Sequence, residues 1–192
     1  MGASIIIIVI ILALIFWFVS IYNKLINMIE TVNNNNKQID IQLDRRYKVF
    51  ESLINTVKNY MNYEQTTLKD VVALRSQAVN AAQKGDEQGR IAAENGISKI
   101  ASGINVMFEA YPDLKANQNV IQLQEEIVNT ENKLAFAKQA YNDSVERYMA
   151  TKKSLPQSFI VSMAASKLDK NFIYWNLPEE KIAEQEQYTV KF

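Results

Sequence analysis

The sequence predicts an all-α protein: one N-terminal transmembrane helix followed by an elongated antiparallel helical bundle, of four helices in the preferred count and three in the alternative. Three observations predict it. Fifteen uninterrupted apolar residues run from Ile5 to Val19. Neither glycine nor proline occurs in the 82 residues between Gly2 and Gly85. Beyond the first block, apolar side chains recur at steps of three and four, and no sustained alternation marks a strand.

The first element is the apolar block. From Ala3 to Tyr22 it is 20 residues long, about 30 Å as a helix, which matches the hydrocarbon core of a bilayer. Trp17, Phe18 and Tyr22 gather at its C-terminal end, where amphipathic rings favour the headgroup zone. A cleaved signal peptide would begin with basic residues, but Met1-Gly2-Ala3-Ser4 has none. A lipoprotein signal needs a cysteine, and the chain has none. Myristoylation at Gly2 wants serine or threonine where Ile6 stands. A buried core helix is the remaining alternative, but an all-apolar segment with no polar face suits lipid better. Residues 1–23 are therefore read as the anchor, 24–155 as the bundle and 156–192 as a C-terminal segment. The lipid bilayer is the expected partner through residues 3–22. Lys24, Lys37, Arg45 and Arg46 follow the anchor while no basic side chain precedes it, which places the bundle on the cytoplasmic side.

Composition narrows function by subtraction. Lysine plus arginine equals aspartate plus glutamate, 21 each, so no net charge steers the chain toward nucleic acid. Without histidine the commonest general base and transition-metal ligand are missing. Without cysteine there are no disulfides, zinc-thiolate sites or thiol nucleophiles. No glycine-rich phosphate cradle occurs. The expectation is a protein that is not an enzyme and has no cofactor.

The bundle helices follow from spacing. Ile39, Leu43, Arg46, Phe50, Leu53, Val57 and Tyr60 form a heptad seam with one arginine in it. Tyr47, Ile54 and Met61 widen that face. Asn33–Asn36 interrupts the pattern, either as a flexible joint or as the wet face of a continuous helix. Thr67-Leu68-Lys69-Asp70 reads as a capping box opening a second helix, which ends at Gly85 in the C′ position. Asp86 can cap a third helix ending before Pro112, and Asp113 a fourth that Pro156 stops. That fourth helix has the seam Leu123, Ile127, Leu134, Ala137, Tyr141, Val145 and Tyr148. With ranges of about 24–62, 67–84, 87–111 and 114–153, the outer pair match in length at roughly 60 Å, and the shorter pair can lie against them as a hairpin. A short helix over Ser158–Leu168, an aromatic cluster (Phe172, Tyr174, Trp175) and a polar tail, Glu179–Gln187, complete the chain. The aromatic cluster is read as folding back to cap the bundle, with an exposed docking patch as the alternative.

Two blocks of the sequence carry a resemblance. Gln38-Ile39-Asp40-Ile41-Gln42-Leu43-Asp44-Arg45-Arg46-Tyr47, followed by Leu53-Ile54-Asn55-Thr56-Val57-Lys58, is similar to the hallmark segment of LemA family proteins. So are Glu109-Ala110-Tyr111-Pro112-Asp113-Leu114-Lys115-Ala116-Asn117, Leu123-Gln124-Glu125-Glu126 and Thr130-Glu131-Asn132. Tyr22-Asn23-Lys24-Leu25 and the closing Val190-Lys191-Phe192 fit as well. The resemblance implies a short N-terminal segment, one transmembrane helix and an antiparallel α-helical bundle. It implies no established catalytic activity, and an association of some relatives with magnetosome membranes. Glu51 and Asn59 stand where the family pattern has proline and glycine, and both favour a straighter helix.

The candidate interaction residues are Arg45, Arg46, Tyr47, Ile54, Glu109, Asp113, Glu125 and Glu131. Arg46, set in an apolar seam, is expected to pair inside the bundle with Glu109, Asp113 or Glu125 and so pin helix register. A membrane-confined homo-oligomer is expected, mediated by the anchor and the first soluble helix, with Tyr47 and Ile54 facing a second copy or, in the alternative, the core. The glutamates are too poor in partners for a di-metal bundle, which uses histidine. The function expected is a membrane-anchored scaffold or interaction module with unidentified protein partners. The alternative is a tethered ligand-sensing domain. Only four residues precede Ile5, which argues against signalling across the membrane.

Overall fold

The computed structural model describes residues 2–57, 65–109 and 116–175, the side chains of 3, 65–68 and 104–109 excepted. Among the described residues there are six helices and no strand: α1 (Gly2–Val57), α2 (Gln65–Lys84), α3 (Glu87–Glu109), α4 (Gln118–Lys153), α5 (Gln157–Met163) and α6 (Ala165–Leu168). The fold is all-α, as the spacing predicts. The chain divides into two compact units. One holds the residues up to Gln38 with Ala137–Tyr174, the other Ile39–Phe136 with the segment that begins at Trp175.

Helix α1 is continuous through Asn33–Asn36, so the asparagines are helical surface and not a joint. Asn35 shows how they are used: its Nδ2 donates to the Ala140 carbonyl at 3.0 Å. Glu51 also lies within unbroken helix. The apolar stretch of α1 reaches a mean hydropathy of 3.2 and none of it is buried inside the structure, which makes it a candidate membrane anchor. Whether a break separates α1 from α2, and what becomes of Tyr60 and Met61, lies outside the described residues.

In the second unit four helices share one core. Phe50, Leu53 and Val57 of α1 are buried with Val71 of α2, Ile97 of α3 and Val120 of α4. Helices α2 and α3 form a hairpin whose turn is two residues long. Gly85 takes φ +72°, which costs an L side chain about 1–2 kcal/mol and glycine nothing. Its N–H donates to the Ala82 carbonyl (3.1 Å) and that of Asp86 to Ala81 (2.9 Å), a Schellman closure. Asp86 also opens α3: its Oδ1 accepts from the Gly89 N–H at 2.9 Å. Further along the hairpin, a Cβ on Gly96 would sit 3.0 Å from Leu74 Cδ1, so α2 and α3 pack closely there.

Two helix starts differ from the sequence reading. Helix α2 begins at Gln65, ahead of Thr67. The cap of α4 is Asn117, whose Oδ1 accepts from the Asn119 N–H at 3.0 Å; Asp113 lies outside the described residues.

In the first unit, Ile21, Leu25, Ile29 and Val32 make one buried face of α1, and Tyr141, Val145 and Tyr148 one of α4. The predicted short helix is two, α5 and α6, broken at Ala164 (φ −125°, ψ 40°). The chain then returns beside α4. Tyr148 donates its hydroxyl proton to the Leu168 carbonyl and accepts from the Lys170 N–H at 3.0 Å. Lys152 Nζ donates to Asp169 Oδ1 (2.9 Å), the Lys170 carbonyl (2.7 Å) and Asn171 Oδ1 (3.0 Å). Tyr141 donates to the Ile173 carbonyl at 3.1 Å. Phe172 meets the Tyr148 ring edge-on, centroids 5.6 Å apart. The aromatic cluster is therefore divided: Trp175 is buried, while Ile173 and Tyr174 are exposed. Residues 176–192, the polar tail and the closing Val190-Lys191-Phe192 included, lie outside the described residues.

Candidate functional site

Charged side chains converge inside the four-helix unit. Arg46 is 2% exposed and reaches two other helices. Its Nη2 is ion-paired with Glu94 Oε2 of α3, and its Nη1 donates to Ser98 Oγ (2.8 Å) and to Glu131 Oε1 of α4 (3.2 Å). Ser98 in turn donates to Glu131 Oε2 at 3.0 Å. A planar fork of donors suits this geometry, because two carboxylates and a hydroxyl can be met at once. Arg45, one residue away, points elsewhere and pairs with Glu126, its Nε 3.0 Å from Oε1.

A second set lies between α1, α2 and α3. Arg90 pairs with Asp40, has Glu87 at 3.7 Å and stands 5.4 Å from the Trp175 ring centre. Arg75 stacks its guanidinium 3.1 Å from the Tyr47 ring centre, with Asp44 at 3.9 Å. Asp44 is also held by Lys48 at 2.8 Å. Asp40, Asp44, Tyr47, Arg75 and Arg90 line a cleft of about 430 Å³. The Nη1 of Arg75 is buried without a hydrogen-bond partner. At two carboxylates the charges show their effect. The hydrogen bond from Lys48 lowers the Asp44 carboxyl below the ordinary carboxylate range against the opposing pull of desolvation. The hydrogen bond from Arg45 does the same for Glu126.

The sequence candidates fall unevenly on this map. Arg46 and Glu131 meet, but the expected partners of Arg46 need correction. Glu125 is exposed on α4, because one residue turns a helix by about 100° and Glu126 takes the inward direction. The Glu109 side chain and Asp113 lie outside the described residues. Glu94 and Ser98 supply the contacts instead. Tyr47 and Ile54, the expected faces for a second copy, are each half-buried: Arg75 stacks on the Tyr47 ring and Ile54 packs against the core. Spacing carried a signal for the missed residues. Ile91, Glu94, Ser98 and Ala101 are spaced three, four, three, so polar groups occupy two seam positions of α3 opposite the arginine in the seam of α1. Among the described residues no three acidic side chains converge as a metal site.

These features define a class: an all-helical protein in which a four-helix core, cross-linked by arginine–carboxylate pairs, follows a long apolar helix. The chain belongs to the LemA family, whose profile matches residues 35–192. It is 28% identical over 130 residues to Protein LemA of Metamycoplasma hominis, an alignment that covers 67% of this chain and 58% of that relative. The apolar block of α1 precedes the matched region.

Proposed function

We propose that this chain is a membrane-anchored scaffold of the LemA type, held in the bilayer by residues 3–22, with no catalytic activity of its own and self-associating at the membrane. The observation that carries the reading is the apolar stretch of α1, of which nothing is buried inside the structure. An apolar run such as Ile5–Val19, exposed at nearly every position, is stable in lipid and not in water. The bundle supports a structural role, because the guanidiniums of Arg45, Arg46 and Arg90 are committed to carboxylates of the same chain. The basic residues after the anchor favour the cytoplasmic side. Self-association rests on the anchor and on two-dimensional confinement, since Tyr47 and Ile54 are used internally.

Alkaline carbonate extraction of cells expressing the full chain tests the anchor. The protein stays in the membrane pellet, and release into the supernatant would overturn the reading. Mass photometry in nanodiscs tests self-association, which particles of monomer mass alone would refute. Digestion of the bundle by protease added outside intact cells would refute the cytoplasmic placement. A second reading, a ligand-sensing domain, is favoured by the cleft at Arg75 and its unpartnered Nη1. Saturable small-molecule binding that Arg75→Leu abolishes would establish it over the scaffold.

A further inference from the structure

The excursion between α4 and the returning chain carries three large apolar side chains on its outer side. Lys152 and Asp169 are bonded at 2.9 Å although 17 residues apart, so the residues between them form a closed loop at the end of α4. Ile160, Val161 and Leu168 turn inward and are buried. Leu155, Phe159 and Met163, four residues apart, turn outward and are 84%, 67% and 63% exposed. Three such side chains together in water are costly, at about 25 cal/mol for each Å² of apolar surface.

The place of this loop within its unit says what covers it. Helix α1 leaves the unit at Gln38 and α4 enters it at Ala137, so the two run antiparallel. The bond from Asn35 to Ala140 sets their register. Thirteen residues on from Ala140 is Lys153, the end of α4, and thirteen back from Asn35 is Tyr22, the end of the apolar block. The loop thus stands level with the point where α1 emerges from its apolar stretch. Its charge agrees: residues 152–170 hold four lysines and one aspartate in a chain that is neutral overall, and Lys153, Lys167 and Lys170 are exposed.

We propose that the Leu155–Met163 loop is a second membrane contact: Leu155, Phe159 and Met163 enter the interfacial zone of the bilayer, and the flanking lysines meet anionic phospholipid headgroups. This rests on the anchoring reading above and adds a second point of attachment, which restrains rotation of the unit about α1.

The absence of cysteine allows a single reporter at any position. Full-length Leu155→Cys, Phe159→Cys, Ile10→Cys and Asn33→Cys, each carrying bimane, are placed in nanodiscs of mixed phosphatidylcholine and phosphatidylglycerol. Labels at 155 and 159 lose most of their fluorescence to a lipid nitroxide attached near the headgroup and little to aqueous iodide, whereas the label at 33 does the reverse. Iodide quenching at 155 and 159 equal to that at 33 overturns the proposal, and so does shielding from both quenchers, which would mean that protein covers the patch. The label at 10 separates the two readings: if a second lipid nitroxide, carried deep on the acyl chain, fails to quench it, the anchor itself is refuted. Two reporter positions, each checked for retained helicity, guard against one misfolded variant.

Discussion

Arg46 and Lys152 are both buried cations on long helices, yet they are satisfied in opposite ways. Arg46 meets two carboxylates and a hydroxyl from α3 and α4, as many as 85 residues away in sequence. Lys152 meets one carboxylate and two neutral oxygens, all within 19 residues. The fork of arginine joins helices whose register nothing local could set. The point charge of lysine gathers a nearby backbone and needs no fixed direction. A buried cation therefore does long-range or local work according to the geometry of its head group, and the two sites respond differently to substitution.

The largest effect is expected at Arg46. Arg46→Ala leaves Glu94 buried without its partner and should destabilise the four-helix unit by about 3–5 kcal/mol, read as a lowered midpoint in denaturant-induced loss of helicity. Arg46→Lys should recover little, since one ammonium cannot span Glu94 and Glu131. A fully stable Arg46→Lys would break the comparison. At the other site, Lys152→Met or Tyr148→Phe should cost about 1–3 kcal/mol each. Lys152→Arg should fit poorly among acceptors arranged around a point. Limited proteolysis between Leu168 and Tyr174 should accelerate in these variants while the four-helix unit stays resistant. Gly85→Ala is expected to cost about 1–2 kcal/mol, because its left-handed backbone disfavours a Cβ.

The smallest effect concerns acid. Asp44 and Glu126 have carboxyls lowered by their hydrogen bonds to Lys48 and Arg45. Each pair contributes in full above the unfolded carboxylate value, and the contribution disappears as pH falls through the lower folded value. Acid unfolding of Asp44→Asn and Glu126→Gln should therefore be slightly shallower than that of the unchanged chain below the ordinary carboxylate range. Both groups lie at the surface, so the change should be small and should shrink in salt.

Much of the fold was legible because it depends on period and punctuation. The seam from Ile39 to Val57, the end of α2 at Gly85 and the cap at Asp86 each follow from residues adjacent in sequence. The position of Arg46 in the seam was legible for the same reason. Its partners were not, because they depend on which turns of different helices come level, a property of packing that no single helix encodes. Glu94 and Ser98 escape the apolar pattern because they are polar residues in seam positions. Thr130 was hidden likewise: it fills the seam position between Ile127 and Leu134 and is fully buried. The return of residues 169–174 along α4 had no periodic signature, since it is held by side chains that reach for backbone carbonyls.

The two-residue hairpin between α2 and α3 has a consequence for the order of assembly. Contacts across Gly85 and Asp86 close short loops, whereas Arg45–Glu126 and Arg46–Glu131 close loops of more than 80 residues, whose entropic cost comes before any contact rewards it. The hairpin is thus the natural nucleus of the four-helix unit, and the arginine pairs are latches that shut after it. Changes at Gly85 should slow refolding, while changes at Arg46 should chiefly hasten opening.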